Sequence, residues 1–412
     1  MKKNLLLVST VLLLLPFVFK TISFSHNEER VDLWPVESVD TMKYSRDHAR
    51  AMLYDQSDSL IKDQVSQIAK TGASYIAIAT PYDDEFLPVL KRWVTEARNN
   101  NLKVWFRGNF SGWEGWFDYS EISRREHLRL LGKFISENAN LFEDGDIFSS
   151  CPECENGGPG DPRHNGDVDG HRKFLIDEYK VANSAFSSIN KKVSANYFSM
   201  NGDVANLVMN KETTKSLGGI VVVDHYVATP EKMIKDVREL ADRSGGKIVL
   251  GEFGNPIPDI NGDQTEEQQA EWLNKTLLAL SQEPSVVGLN YWTLTGGSTA
   301  IYSEGKERKA FDVLSSYYNV KTVIGKVSTE IGNPVQGAEI SFMNHVVNAN
   351  DEGEFALPDM PYSIHIKVSQ DGFNTIELDV DDTNKNSLYL TLSRNQEGLL
   401  FKIIKFFKNL FK

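Results

Sequence analysis

From residue 36 onward the chain alternates short apolar runs, rich in β-branched residues, with longer stretches whose apolar residues recur every third or fourth position. The runs 36–40, 74–80, 103–108, 146–150, 192–197, 219–224, 247–252 and 286–291 predict eight strands. The stretches 58–70, 85–99, 123–137, 170–188, 230–244 and 265–282 predict helices between them, with Ile61, Val65 and Ile68 setting the spacing in the first. Strands as continuously apolar as Ile220-Val-Val-Val223 suit a parallel sheet covered on both faces, and the alternation with helices supplies the crossovers. Eight strand–helix repeats predict an α/β fold, a closed (β/α)8 TIM barrel over 31–319, whose chemistry gathers at the carboxyl ends of its strands. An open doubly wound sheet is the competing arrangement. No Gly-x-Gly-x-x-Gly loop follows the first strand, so no nucleotide cofactor is expected.

After residue 319 the pattern shortens to runs at 323–327, 337–342, 355–357, 364–368 and 387–392. The turn pairs Gly332-Asn333, Glu352-Gly353 and Asp371-Gly372 stand between them, which predicts a small all-β sandwich over 321–394. At the amino end, Met1-Lys-Lys-Asn4 precedes an apolar run from Leu5 to Phe19, so 1–24 reads as a signal peptide or a signal anchor. No small-residue cleavage site separates the two alternatives. Either one implies an extracytoplasmic protein, membrane-associated or at the cell surface. At the carboxyl end, Lys402, Lys405, Lys408 and Lys412 fall on one arc of a helix over 397–412, with most of the Leu, Ile and Phe opposite and Phe401 on the lysine side. Such a segment is expected to lie on an anionic membrane surface, docking on the protein's own surface being the alternative.

Composition narrows the partners. The 412 residues include 44 Lys and Arg against 57 Asp and Glu, a net charge of −13 that disfavours a nucleic-acid partner and is compatible with neutral poly- or oligosaccharide. The two cysteines, Cys151 and Cys154, cannot complete a zinc site, and no metal is expected; in an oxidising compartment they can close a small ring that stiffens their loop. A redox role is disfavoured because thioredoxin-like pairs open a helix. Asp167-Val-Asp169 only faintly resembles a calcium loop and reads better as a solvated turn. The sequence sets no oligomeric state.

The candidate chemistry sits at two strand ends. Glu252 stands where an apolar strand gives way to Gly254-Asn255, and Glu153 and Glu155 lie in Cys151-Pro-Glu-Cys-Glu-Asn-Gly-Gly158 after the fourth strand. Two opposed carboxyls are the minimum equipment for cleaving a glycosidic bond. With the strands numbered in order, this arrangement resembles the clan A retaining glycoside hydrolases, of the cellulase and mannanase kind, across most of the barrel. The resemblance implies Glu153 as acid/base, Glu252 as nucleophile, His225 and Tyr226 lining the site, and Trp292 as the floor of the sugar site. Arg107, ending the third strand, is a candidate to hold Glu252 charged. The chain departs from the clan at Pro152, which stands where an Asn precedes the acid/base glutamate. Asn109, Asn156 and Asn196 are candidates to replace that Asn toward the sugar, and Glu155 remains an alternative acid/base, the register favouring Glu153. Trp113, Trp116 and Tyr119 after the third strand, Tyr82 after the second and Tyr197 at the fifth are candidates to stack on sugar rings, packing under loops being the alternative for each. Lys43 and Arg46 after the first strand either face the site or pair with surface acids. The pattern Gly325-x-Val327, Asn333-Pro-Val-x-Gly-Ala-x-Ile340, Asp351-Glu-Gly-x-Phe355 resembles the carboxypeptidase regulatory-like, transthyretin-related module, which implies a spacer or sugar-binding role. The expected function is retaining hydrolysis of β-linked poly- or oligosaccharide. A non-catalytic carbohydrate-binding or surface-attachment protein on the same scaffold, and a cell-wall transglycosylase, are the alternatives.

Overall fold

The computed structural model describes residues 32–395, apart from 56 and 344. The predicted segments 1–24 and 397–412 lie outside the described residues. Among the described residues no helix is long and apolar enough to cross a membrane. The chain divides into two compact units, with the boundary between Thr322 and Val323.

The first unit is built on eight parallel strands, β1 (Val36–Asp40), β2 (Tyr75–Ile78), β3 (Lys103–Phe106), β4 (Ile147–Phe148), β5 (Ser199–Asn201), β6 (Ile220–Asp224), β7 (Lys247–Phe253) and β8 (Val286–Tyr291). Their order, β4-β3-β2-β1-β8-β7-β6-β5, is that of a sheet curling on itself, and a parallel bridge between Ile147 and Ser194 joins its two ends. The fold is a TIM barrel. Helices occupy the crossovers, among them Asp58–Lys70, Leu87–Asn99, Arg124–Glu137, Val168–Ser188, Pro230–Ser244 and Glu266–Ser281. Ser123, Asp167, Thr229 and Thr265 cap four of these by accepting a backbone N–H in the first turn, so the Asp167 turn is a helix start.

The fifth strand corrects the sequence reading. Residues 192–197 do not form a regular strand; they bridge to β4 at Ser194, and the regular strand begins at Ser199 and pairs with β6. The fifth position is thus split, its first half closing the barrel on β4 and its second half on β6. The side chains that reach the mouth are shifted accordingly.

Inside the barrel, Val36, Tyr75, Ala77, Trp105, Ile147, Tyr197, Val222 and Val249 form one buried cluster. Because strand side chains alternate faces, the residue two positions after an inward core residue also points inward, now at the open rim. Trp105 leads in this way to Arg107 and Val222 to Asp224. Strand β7 breaks the parity. Val223 pairs with Leu250 while Asp224 pairs with Glu252, so Gly251 is an extra residue, a bulge that turns Glu252 onto the inner face. A Cβ at Gly251 would collide with the Asp224 carboxylate, so only glycine fits the bulge.

A short antiparallel pair, β9 (Tyr302–Ser303) and β10 (Lys306–Glu307), precedes the last helix of this unit, Lys309–Tyr318. The second unit is all β. Strands β11 (Thr322–Thr329), β14 (Glu354–Pro358) and β17 (Tyr389–Leu392) form a three-stranded sheet; β12 (Glu339–Phe342), β13 (His345–Asn348), β15 (Ile364–Ser369) and β16 (Ile376–Val380) form a four-stranded one. In β15 the alternation is complete, with Ile364, Ile366 and Val368 buried and His365 and Lys367 exposed. Strands β13 and β16 are missed by the sequence reading, although Ile376-Glu-Leu-Asp-Val380 carries the apolar–polar alternation of a strand.

Candidate active site

The rim at the carboxyl ends of the strands carries a buried polar cluster centred on Arg107, whose side chain is fully enclosed. Its Nη1 donates to Asp40 Oδ2 at 2.7 Å and to Glu252 Oε1 at 3.1 Å. Its Nη2 donates to Ser199 Oγ at 3.1 Å and reaches both Asp224 oxygens at 3.4 Å. Asn290 donates to Asp40 Oδ2 at 3.0 Å and to the Gly251 carbonyl at 2.8 Å, tying β8 to the bulge. Four strand ends, those of β1, β5, β6 and β7, therefore converge on one guanidinium, and Asn290 joins β8 to them through Asp40. A buried charge is tolerated only when paired, and here one cation faces three carboxylates.

Glu252 is 6% exposed, and its second oxygen accepts the Tyr226 hydroxyl at 2.8 Å. Tyr226 in turn packs edge-on against Trp292, ring centres 5.9 Å apart. One oxygen each from Glu252, Glu153 and Asp224 lie within 4.8 Å of one another. Two glutamates separated by 99 positions in the sequence meet across the mouth. Burial pushes the Glu252 carboxyl up to about 7; Arg107 pulls it down, the Glu153 and Asp40 charges raise it, and the Tyr226 hydroxyl lowers it. Glu153 is raised by burial and by Glu155, against Arg107, Arg46 and Asn156. Asp224 is raised well above the usual carboxylate range by burial and the Glu252 charge. Of the two opposed glutamates, Glu252 accepts both a guanidinium and a phenol, and both contacts favour its ionised form.

Glu153 is partly exposed and adopts a left-handed backbone, φ 46° and ψ 45°. That conformation costs a residue with a Cβ about 1–2 kcal/mol. Its N–H donates to the Ser199 carbonyl at 2.7 Å, and Cys151 and Cys154 on either side are disulfide-bonded. Glu155 is 2% exposed and turned away to Asn201, accepting its backbone N–H at 2.7 Å and its side-chain amide at 3.0 Å.

The remaining predicted residues divide. Trp116 is half-buried with the Arg46 guanidinium 5.0 Å above its ring, and Lys43 lies 5.4 Å from the Trp292 ring centre, so Lys43 and Arg46 do face the rim, sharing Asp47 as counter-ion. His225 donates its backbone N–H to the Glu252 carbonyl at 2.8 Å, while its ring pairs with Asp236 at 2.9 Å. Trp113 is 3% exposed, stacked on Phe174 with its Nε1 donating to the Cys154 carbonyl, so it supports the Glu153 loop and offers no face to a ligand. Asn109 is fully buried and engaged: its oxygen accepts His127 Nε2 and the Phe110 N–H, each at 2.8 Å, and its amide donates to Glu114. Asn196 lies beside Gly218 at the amino end of β6, and Tyr197 packs against Trp105 in the barrel interior. Both miss the mouth because the true fifth strand starts at Ser199. Tyr82 is buried among Phe110, Phe134 and Phe148, and Tyr119 pairs with Glu85.

Polar residues of the rim that escaped the sequence reading include Asp40, Ser199, Asp224, Asn290 and Glu114. Asp40 and Asn290 carry the same signal as Glu252, a polar side chain near the end of an apolar strand. Glu114, in the Trp113-Glu-Gly-Trp116 turn, is raised to about 8 by burial, with Asn109 and Arg46 opposing and Glu153 and Glu155 adding to the rise.

No protein-family model matches this sequence, and no curated protein sequence does. Among solved structures the chain is similar to GH5_18 from Bifidobacterium longum subsp. longum ATCC 55813, at 15% identity and TM-score 0.52, covering 74% of this chain and 87% of that one. It is also similar to wild-type ZgEngAGH5_4, at 13% identity and TM-score 0.50, covering 70% and 96%. Against an FMN-binding β-glucuronidase from Facaelibacterium prausnitzii L2-6 the identity is 10% and the TM-score 0.46, covering 79% of this chain, and the chain spans about half that protein's length, 53%. At these identities the likeness is one of fold.

Proposed function

We propose that this protein is a retaining glycoside hydrolase acting on β-linked poly- or oligosaccharide, with Glu252 as nucleophile and Glu153 as acid/base. The observation that carries the reading is the approach of the Glu153 and Glu252 carboxylate oxygens to within 4.8 Å, with hydrogen bonds from Arg107 and Tyr226 to Glu252. Retaining enzymes set their two carboxyls about 5–5.5 Å apart, whereas inverting ones leave roughly 6.5–9.5 Å for a water. The fold likeness to two proteins named GH5 supports the same reading. In the first step Glu252 attacks the anomeric carbon as the glycosidic C–O bond breaks and the Glu153 proton passes to the departing oxygen, leaving a glycosyl ester on Glu252. Arg107 and Tyr226 stabilise the ionised nucleophile before attack, and release it as its charge is consumed. In the second step the ionised Glu153 takes a proton from water, whose oxygen attacks the same carbon and frees Glu252. Trp292 lies beside Tyr226, where its ring can floor the reacting sugar, and Trp116 offers a second platform.

The test is Glu252→Gln. Turnover of an aryl β-glycoside should fall by at least about 10³-fold while sugar binding persists, since losing an enzymatic nucleophile removes most of the rate enhancement. Product NMR should show the first-formed sugar with the substrate's anomeric configuration. Near-normal hydrolysis by Glu252→Gln, or an inverted product, overturns the assignment. A panel of aryl glycosides from which the wild type releases no alcohol would instead favour a carbohydrate-binding protein. The second unit enters this reading as a spacer of the carboxypeptidase regulatory-like kind, and segment 397–412 as a basic surface anchor for an extracytoplasmic enzyme.

A further inference from the structure

The loop presenting Glu153 is a covalent ring: Cys151 and Cys154 are bonded to each other, enclosing only Pro152 and Glu153. A disulfide that closes so short a loop removes little freedom from the unfolded chain, because the loop-closure contribution grows with the number of residues enclosed. Both cysteines are buried, 0% and 2% exposed, and the chain continues into a single turn, Cys154–Asn156, so the pair lacks the exposed thiol at a helix start that exchange with a partner requires. Global stability and redox exchange are thus poor accounts of it. What the ring does enclose is the one rim carboxyl whose backbone is left-handed without being glycine. The other restraints on that backbone are few. The Glu153 N–H donates to Ser199, the Glu153 carbonyl accepts the Asn156 N–H at 2.8 Å, and Trp113 holds the Cys154 carbonyl at 3.1 Å. Among its hydrogen-bonded neighbours in the rim, Arg107, Ser199 and Tyr226 fix the cluster around Glu252, not the Glu153 side chain.

We propose that the Cys151–Cys154 disulfide is the positioning device for the acid/base residue, holding the Glu153 carboxyl toward Glu252 so that protonation of the departing oxygen depends on the ring while nucleophilic attack does not. This rests on the glycoside hydrolase reading above. The groups facing Glu153 are Arg107 from the third strand end, Arg46 from the loop after the first, Glu155 from its own loop and Glu114 opposite, while the Asn156 side chain, also in its own loop, hydrogen-bonds its carboxyl. Opening the ring frees φ and ψ of Glu153 to leave the left-handed region, which swings its carboxyl away from the scissile oxygen.

The experiment compares wild type with the paired variants Cys151→Ser/Cys154→Ser and Cys151→Ala/Cys154→Ala on one series of aryl and alkyl β-glycosides. A dinitrophenyl leaving group departs without a proton, whereas phenyl and alkyl alcohols need one. The expected result is kcat/KM within about threefold of wild type on the dinitrophenyl substrate and about 10²-fold or more lower on the phenyl and alkyl ones, the range that general acid catalysis supplies. Because the ratio between leaving groups is read on one sample, a lowered folded fraction cancels from it. Adding Glu153→Ala to either pair should cause no further loss on the phenyl substrate. On the dinitrophenyl substrate kcat, unlike kcat/KM, should fall because the glycosyl ester then lacks its general base, and azide, which needs none, should restore it and yield a glycosyl azide. An equal fall on every leaving group, no fall on any, or a further loss on adding Glu153→Ala overturns the proposal. A wild type inactive on the whole series overturns the hydrolase reading itself, and this inference with it.

Discussion

At the scale of single residues, the rim is governed by an imbalance of charge. Arg107 faces Asp40, Asp224 and Glu252, and burial first, then the neighbouring carboxylates, raise Asp224, Glu153 and Glu252 against its pull. Arg107→Met leaves buried carboxylates without a counter-ion and should destabilise the fold by about 3–5 kcal/mol in urea titrations at neutral pH. The loss should shrink on acidification as those carboxylates take up protons. Glu114 tests the same physics beside Glu153. Its folded value, about 8, lies above that of the unfolded chain, so the native state binds the extra proton and the stability it contributes is lost as pH rises from about 4.5 through 8. Glu114→Gln keeps the contact with Asn109 but cannot ionise. The variant should flatten the fall in Tm across that window and, by removing a negative charge near Glu153, move the alkaline limb of the kcat/KM profile to lower pH. An unchanged pH–Tm curve would exclude the buried proton.

At the scale of elements, two local irregularities decide which side chains meet. The bulge at Gly251 turns Glu252 inward, and Gly251→Ala, whose Cβ would strike Asp224, should lower both stability and kcat. The split fifth strand brings Ser199 and Asn201 to the rim and leaves Tyr197 in the core. Trp113 and Trp116, three positions apart in one turn, make an informative pair. Trp113 fills the space under Gly157 and Gly158, so Trp113→Ala should cost about 3–5 kcal/mol, whereas Trp116→Ala should leave Tm nearly unchanged and raise KM for oligosaccharides. Equal effects of the two substitutions on Tm would contradict the assignment of one to support and the other to sugar contact.

At the scale of the whole molecule, an acidic chain of net charge −13 ends in a segment whose lysines are concentrated at 402, 405, 408 and 412. In the proposal that this segment anchors the chain to an anionic bilayer, electrostatic repulsion of the acidic body would oppose the attraction of the lysines, and apolar side chains would have to supply the balance. Full-length protein should co-sediment with phosphatidylserine-containing vesicles, and a chain ending at residue 395 should not. Raising the salt from 0.1 M to about 0.5 M should weaken binding without abolishing it, because salt screens the lysines and leaves apolar burial intact. Binding that is indifferent to truncation would place the membrane contact elsewhere.

The eight-fold alternation was legible because hydrophobic periodicity is local: helices 58–70 and 230–244 coincide with their predicted bounds, and so do strands β1 and β8. The rim positions of Glu252 and Arg107 were legible because, once a strand is placed, its carboxyl tip is known, while Tyr226 and Trp292 came from the resemblance. Asn109, Trp113, Asn196 and Tyr197 were misread toward the ligand because an Asn or an aromatic near a strand end looks the same in sequence whether it faces solvent, a loop or the core. Only the folded chain settles that, since the answer depends on residues such as His127, Phe174 and Trp105, distant along the chain and brought near by closure of the barrel. The sequence determined where strands begin and which residue types stand at their tips; the tertiary structure decided, through one bulge, one broken strand and one disulfide ring, which tips point at each other.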